Sequence, residues 1–193
     1  MTAIKVRRGE PGDAEEISQV LASAFVDYPW TRWTVDADNH VSRVESLQRL
    51  AFVELVLPFG EAWVATDEGA VVSAALWMRP DVTVPASVWD RIAPTQSLLE
   101  GGRHVASVAA EAACTPHRPT DPHYFLGSVG TLPSHRRLGY ATAALRPVLA
   151  RDDFAYLETC GADNVQFYAV LGFSVVAEVT IPGGGPTVWA MSR

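Results

Sequence analysis

The chain has 193 residues, 48% of them hydrophobic and 19% charged, which is enough for one compact domain with a full core and too little for two. Its net charge of −7 and pI near 5.2 exclude general nucleic-acid binding, which needs a concentrated Lys/Arg surface, so the basic cluster His135-Arg136-Arg137 is local. No apolar leader follows Met1-Thr2-Ala3-Ile4-Lys5 and no apolar run reaches the roughly 18 residues of a membrane span, so a cytoplasmic protein without membrane contact is expected.

Cys114 and Cys160 have no Cys or His at zinc-site spacing, and they read as buried small hydrophobes. Linkers, repeats and low-complexity tracts are absent from the sequence, so a single domain over 1–193 is expected.

In chain order, Ile4 to Arg8 alternates as a strand does, and Asp13 with Glu16 three residues later marks a capped amphipathic helix running through Phe25. Pro29 reads as a break. Val41, Val44, Leu47, Leu50 and Leu57 keep helical spacing, which predicts a second helix from about Asn39 to Leu57. Glu61 to Thr66 and Ala70 to Met78 form a hairpin across Asp67-Glu68-Gly69. The stretch from Arg79 to Pro122 is less regular, with helices expected around Ala86–Ile92 and Ser97–Ala113.

From His123 the pattern becomes dense. Tyr124 to Leu132 is a strand, Arg136 to Ala141 a glycine-containing turn, Tyr140 to Ala150 a helix, and Phe154 to Thr159 a strand. Asp163 to Leu171 forms a short helix ending at Gly172, and Phe173 to Thr180 with Thr187 to Met191 closes the chain as a hairpin. The order β-α-α-β-β, an insertion, then β-α-β-α-β-β predicts an α/β domain with a mixed central sheet and helices on both faces.

The segment Val129-Gly130-Thr131-Leu132-Pro133-Ser134-His135-Arg136-Arg137-Leu138-Gly139-Tyr140-Ala141 carries the chemistry: a strand passes through a basic turn into a helix. Such a turn aims unpaired backbone N–H groups and the positive end of the helix at one place, where a diphosphate can sit. Gly139 and Ala141 keep that approach open, and Arg136 and Arg137 can add charged bonds at its rim. Gly130 and Pro133 interrupt the strand as a bulged or splayed edge would. No Gly-Lys-Ser/Thr follows and no Gly-x-Gly-x-x-Gly turn precedes, which excludes an NTPase loop and a dinucleotide fingerprint.

Arg136, Gly139 and Ala141 stand in the three specified places of (Arg/Gln)-x-x-Gly-x-(Gly/Ala), and the turn resembles the acetyl-CoA signature of the GNAT N-acetyltransferases. Asn164-Val165-Gln166-Phe167-Tyr168 before Leu171-Gly172-Phe173 is similar to the same family's Asn…Tyr…Gly-Phe segment. Ala24-Phe25-Val26-Asp27-Tyr28-Pro29, Thr34-Val35-Asp36, Pro116-His117-Arg118-Pro119, Leu157-Glu158-Thr159 and Trp189-Ala190-Met191-Ser192-Arg193 resemble the puromycin-acetylating branch of that family. The cofactor turn departs from that branch, which carries Gln-Gly-x-Gly-x-Gly there.

The resemblance implies a mostly antiparallel sheet splayed at the cofactor site, acetyl-CoA as co-substrate, no metal, and direct transfer to a small-molecule amine by a monomer or homodimer. It assigns cofactor contacts to Val129, Gly130 and Thr131 on the strand, to Arg136, Arg137, Leu138, Gly139, Tyr140, Ala141 and Thr142 at the turn, and to Asn164. Tyr168 is the implied general acid for the leaving thiolate, acting by proximity because a phenol's ordinary pKa of about 10 lies above a thiol's. Glu158 is the implied carboxylate that takes the amine's proton through water or holds a cationic substrate. Tyr28, Trp33 and Glu54, with Trp30 nearby, are the expected acceptor contacts. His117, His123 and His135 lack metal spacing, and Ser128 and Ser134 lack triad partners in the sequence.

Overall fold

The computed structural model describes residues 4–193, so the reading of Met1-Thr2-Ala3 as leaderless lies outside the described residues. Strand β1 (Lys5–Arg8) leads to helices α1 (Ala14–Phe25), α2 (Pro29–Thr34) and α3 (His40–Ala51). A π-helical turn, Phe52–Val56, and a single turn α4 (Leu57–Phe59) carry α3 into the hairpin of β2 (Gly60–Asp67) and β3 (Ala70–Met78). The insertion folds as α5 (Ala86–Glu100) and α6 (His104–Cys114). The second half runs β4 (Tyr124–Thr131), α7 (Tyr140–Leu149), β5 (Ala155–Thr159), α8 (Ala162–Val170), β6 (Ser174–Thr180) and β7 (Thr187–Ser192).

The seven strands make one sheet in the order β1-β2-β3-β4-β5-β7-β6, antiparallel at every pairing except β4 with β5. Period-two alternation sends neighbouring residues to opposite layers. Val64, Ala74 and Leu76 meet Ile17 and Leu21 of α1 with Phe52 and Val56, whereas Ala65, Ala75 and Trp77 meet Ala144, Leu145 and Val148 of α7. Each such side chain taken fully from water, as Leu21 and Trp77 are, contributes about 1.5–3 kcal/mol.

Three local expectations are corrected. Asp13 does not cap α1 with its side chain; its carboxylate takes two bonds from Arg7, at 2.6 and 2.8 Å, and the N–H of Glu10 at 2.8 Å, which fixes the turn before the helix. Pro29 starts a helix rather than ending one, because its missing N–H and preset φ suit the first helical position. Pro94 lies inside α5, and the interruption comes later, at Gly101 with φ +64. There Asp36 Oδ2 would stand 2.2 Å from any added Cβ and accepts the N–H of Gly102 at 2.7 Å, so the α2–α3 loop holds the break open for glycine alone.

Candidate active site

Parallel pairing of β4 with β5 covers only Tyr124–Leu126 against Ala155–Leu157. Beyond Leu126 the two strands diverge. The register of β4 against β3 skips Gly127, where Leu76 faces Ser128 and Trp77 faces Leu126. The bulge therefore sits at Gly127, not at Gly130 as the sequence suggested. Gly130 is small for another reason: a Cβ there would lie 2.7 Å from the Cβ of Ala24 on α1. Its carbonyl accepts the Ser73 hydroxyl at 2.9 Å, and Thr131 Oγ1 lies 2.8 Å from the same hydroxyl, so both residues are committed to the interior.

The divergence opens a cleft of about 530 Å³. Its sheet side is lined by Phe125, Ser128 and Val129 of β4 and by Glu158 and Thr159 of β5; Asn164 and Tyr168 of α8 also line it. Tyr28 and Trp30 enter from the α1–α2 region, and α5 and α6 cover the cleft with Trp89, Ile92, Glu100, Ser107 and Glu111. The inserted stretch, whose role was illegible in the sequence, thus encloses the cleft.

Tyr168 is 6% exposed, with its ring edge-on to Phe167 and Phe173. Burial, and secondarily the nearby Tyr28, push its phenol above the ordinary tyrosine range, so it stays protonated at neutral pH. Asn164 donates to Thr159 Oγ1 at 3.2 Å, and Tyr28 Oη lies 2.9 Å from the same oxygen. Burial also raises the Tyr28 phenol, so this group joins the loops as a neutral hydrogen-bonding hub.

Glu158 is held by a residue that sequence reasoning noted only within a resembling string. Arg118 Nε donates to Glu158 Oε1 and its Nη2 to Oε2, each at 2.8 Å, while the same Nη2 reaches Glu111 at 2.9 Å. Tyr156 Oη donates to Glu158 Oε1 at 3.0 Å, and the guanidinium lies 5.3 Å over Phe125. Arg118 is pushed further above its ordinary value by these carboxylates, against the opposing effect of burial. No local pattern links residues so far apart in sequence.

Trp33 and Glu54 are not in the lining. Trp33 stacks under Arg103, with the guanidinium 4.4 Å from its ring, and packs against Gly185. Glu54 binds Arg91 of α5 at 2.6 Å, tying the roof to the π-helical turn. Trp30 and Trp89 supply the indoles of the cleft instead.

At the basic turn, Arg137 has φ +63 and Gly139 φ +90, which bends the chain into α7. Among the described residues no side chain caps that helix start, so the amides of Tyr140, Ala141 and Thr142 point outward with the helix's positive end. Arg136 and Leu138 are exposed at the same rim. Ser134 Oγ lies 2.8 Å from His135 Nδ1 and His135 Nε2 lies 3.3 Å from Asp67, but this chain of contacts is on the surface and outside the cleft lining.

Cys114 and Cys160 are both buried, and burial pushes each thiol up to about 12, which removes them as nucleophiles at neutral pH. Among the described residues no group of three or more His, Cys, Asp or Glu is placed to hold a metal ion, and no helix is long and apolar enough to cross a membrane.

The sheet splays after its one parallel pairing, and the helix that follows β4 starts without a side-chain cap, an α/β arrangement that leaves a cleft and a bare helix N-terminus on one domain. The chain belongs to the acetyltransferase (GNAT) family, whose model matches residues 23–173, and it is an N-acetyltransferase of that family. Along its full length it is similar to a Corynebacterium glutamicum structure described as histone acetyltransferase HPA2 and related acetyltransferase, with 26% identity, 100% of this chain and 96% of that chain covered, and a TM-score of 0.79. Drosophila melanogaster polyamine N-acetyltransferase shares the fold at 16% identity, 99% coverage of both chains and a TM-score of 0.59. The Escherichia coli ribosomal-protein-S18-alanine N-acetyltransferase does so at 12% identity, covering 98% of this chain and 92% of that one, with a TM-score of 0.55.

The family uses acetyl-CoA, and the residues present fit its parts. The uncapped start of α7 suits a diphosphate, and the β4 edge beyond Leu126, without a strand partner, suits an amide-bearing arm.

Proposed function

We propose that this chain moves an acetyl group from acetyl-CoA directly onto the primary amine of a small molecule, and that puromycin or a related antibiotic is the first acceptor to test. The enclosure of the cleft by α5 and α6 carries this reading: an aromatic-lined chamber of about 530 Å³ suits a compact acceptor better than a protein chain. The segments similar to the puromycin-acetylating branch, Tyr28-Pro29 and Leu157-Glu158-Thr159 among them, point the same way.

In this proposal the amides at Tyr140, Ala141 and Thr142 hold the diphosphate, with Arg136 and Arg137 at the rim, and the open β4 edge at Val129 orients the arm. Bound acetyl-CoA supplies an activated acetyl group. Glu158, engaged on both oxygens by Arg118, faces the acceptor and draws the cationic amine into place, and the amine's proton leaves through water at the cleft mouth. Tyr168 gives its phenolic proton to the departing sulfur as the new C–N bond forms. Holding both reactants at once is what direct transfer needs, and placement supplies most of the rate.

The test is thiol release from acetyl-CoA with a panel of amines: puromycin, other amine antibiotics, polyamines and a peptide N-terminus. Saturable release with a small amine supports the proposal. Tight CoA binding by calorimetry with no release for any amine points instead to an acetyl-CoA-binding module.

A further inference from the structure

Two hydroxyls meet where β5 hands over to α8, and they hold one proton more than the contact between them can use. Tyr28 Oη and Thr159 Oγ1 stand 2.9 Å apart, which allows one hydrogen bond and leaves one of the two protons over. Thr159 Oγ1 also accepts from Asn164 Nδ2 at 3.2 Å and from the N–H of Gly161 at 3.4 Å, and these two donors occupy both of its lone pairs. Its own proton therefore goes to Tyr28 Oη, which takes the N–H of Cys160 at 2.5 Å as its second bond. The reverse polarity would crowd three donors onto Thr159 Oγ1 and strand a hydroxyl proton on a residue only 2% exposed.

The proton left over is the phenolic one of Tyr28. Tyr28 lines the cleft, and among the described residues no acceptor takes that proton. The ring sits edge-on to Phe25 with 5.3 Å between centroids, and the oxygen is pinned by Cys160, so the donor is in place before a ligand arrives. Tyr168 lies one turn beyond Asn164 on α8 and lines the same cleft, which sets this donor close to the reacting groups.

We propose that this proton sets acceptor specificity: it donates to an oxygen of the acceptor a few bonds from the reacting amine, such as the carbonyl of an α-amino amide or the ether of an alkoxyamine. The inference rests on the direct-transfer reading above and narrows its acceptor to amines with a neighbouring oxygen, ahead of plain alkylamines, arylalkylamines and oxygen-free diamines. A site that holds a desolvated donor penalises the analogue that cannot accept from it, because binding then leaves the donor without a partner. Tyr28 is thus a specificity residue as well as the link between the α1–α2 loop and α8.

Thiol release with matched acceptors tests this: methoxyethylamine against butylamine, which has the same length without the ether oxygen, and phenylalaninamide against phenethylamine, each pair compared per unprotonated amine. The oxygen-bearing member should lead its partner in kcat/KM by about tenfold in the native enzyme, the order of effect one hydrogen bond supplies. Tyr28→Phe keeps the ring against Phe25 and removes the donor, so it should bring each ratio near one through a loss concentrated on the oxygen-bearing member. Thr159→Val removes the hydroxyl from which Tyr28 accepts; turnover falls with the disturbed junction, but the preference should survive, because the phenol keeps its proton. The native ratios carry the test if Tyr28→Phe does not fold. A native ratio near one, equal losses on both members of a pair in Tyr28→Phe, or a preference abolished by Thr159→Val would overturn the Tyr28 assignment and leave the direct-transfer reading standing. CoA binding without thiol release for any amine would overturn both.

Discussion

Arg118 grips Glu158 with a two-pronged ion pair across 40 residues of chain, both N–O distances being 2.8 Å. The contact joins the segment after the insertion to the end of β5, so it braces the roof of the cleft and presents Glu158 in one orientation. Arg118→Gln should leave Glu158 and Glu111 facing each other without a cation. We expect a stability loss of about 1–3 kcal/mol, a melting temperature lower by several degrees, and a kcat/KM for the acceptor reduced about tenfold. Arg118→Lys should recover charge but not the fork, and restore activity only in part. Equal activity in the Gln variant would remove Arg118 from the acceptor site.

Tyr168→Phe deletes one hydroxyl from a buried ring whose packing on Phe167 and Phe173 it leaves in place. Turnover should fall by about 10²-fold or more, with CoA affinity by calorimetry little changed. Because burial raises this phenol above its ordinary value, the acid form persists through neutral pH and the mildly alkaline range. The kcat of the native enzyme should therefore show no downturn near pH 9 from this group, and a downturn that vanished in Tyr168→Phe would contradict the raised phenol while keeping Tyr168 as the acid.

Gly139 starts α7 with φ +90, a conformation that a side chain strains. Gly139→Val should weaken CoA binding about tenfold through the displaced amides, at a stability cost of roughly 1 kcal/mol or more. Unchanged affinity would mean that the diphosphate lies elsewhere.

Gly130→Ala tests packing, not cofactor contact. The new methyl would stand 2.7 Å from the Ala24 Cβ and 3.1 Å from Leu21 Cδ2, so α1 must shift from the sheet. Overpacking of this kind costs about 1–3 kcal/mol. Chemical denaturation should show it as a lower midpoint, and an unchanged midpoint would show that α1 yields freely.

Alkaline pH should destabilise the fold. Burial raises Cys114 and Cys160 from 9.0 to about 12, so the unfolded chain sheds these protons first. The stability they contribute is complete below about pH 9 and is lost as pH rises toward 12, since the unfolded state then binds fewer protons. Melting temperatures measured between pH 8 and about 11 should decline, and a disulfide-exchange reagent at pH 8 should label neither thiol until the protein unfolds. Fast labelling of the native protein would contradict their burial.

Most of the fold was legible because its signals are local. The hairpin at Asp67-Glu68-Gly69, the basic turn into α7 and Gly172 after α8 all declare themselves within a few residues, and the structure has them within a residue or two of expectation. Where local signals were ambiguous the reading slipped. Pro29 suggested a break but begins a helix, and the two helices expected around Ala86–Ile92 and Ser97–Ala113 are joined across that gap, where α5 runs through Pro94. Gly130 looked like a strand defect, and the neighbouring helix explains it instead.

The sequence by itself determined the α/β order, the open turn at Gly139 and the family to which that turn belongs, since each follows from backbone preferences over a short span. Only the tertiary structure decided what closes the acceptor side: α5 and α6 over the splayed strands, Arg118 on Glu158, and Tyr28 on Thr159. The physical reason is that Coulomb pairing and desolvation depend on distance in space, and residues 40 or more apart acquire that distance only when the sheet forms.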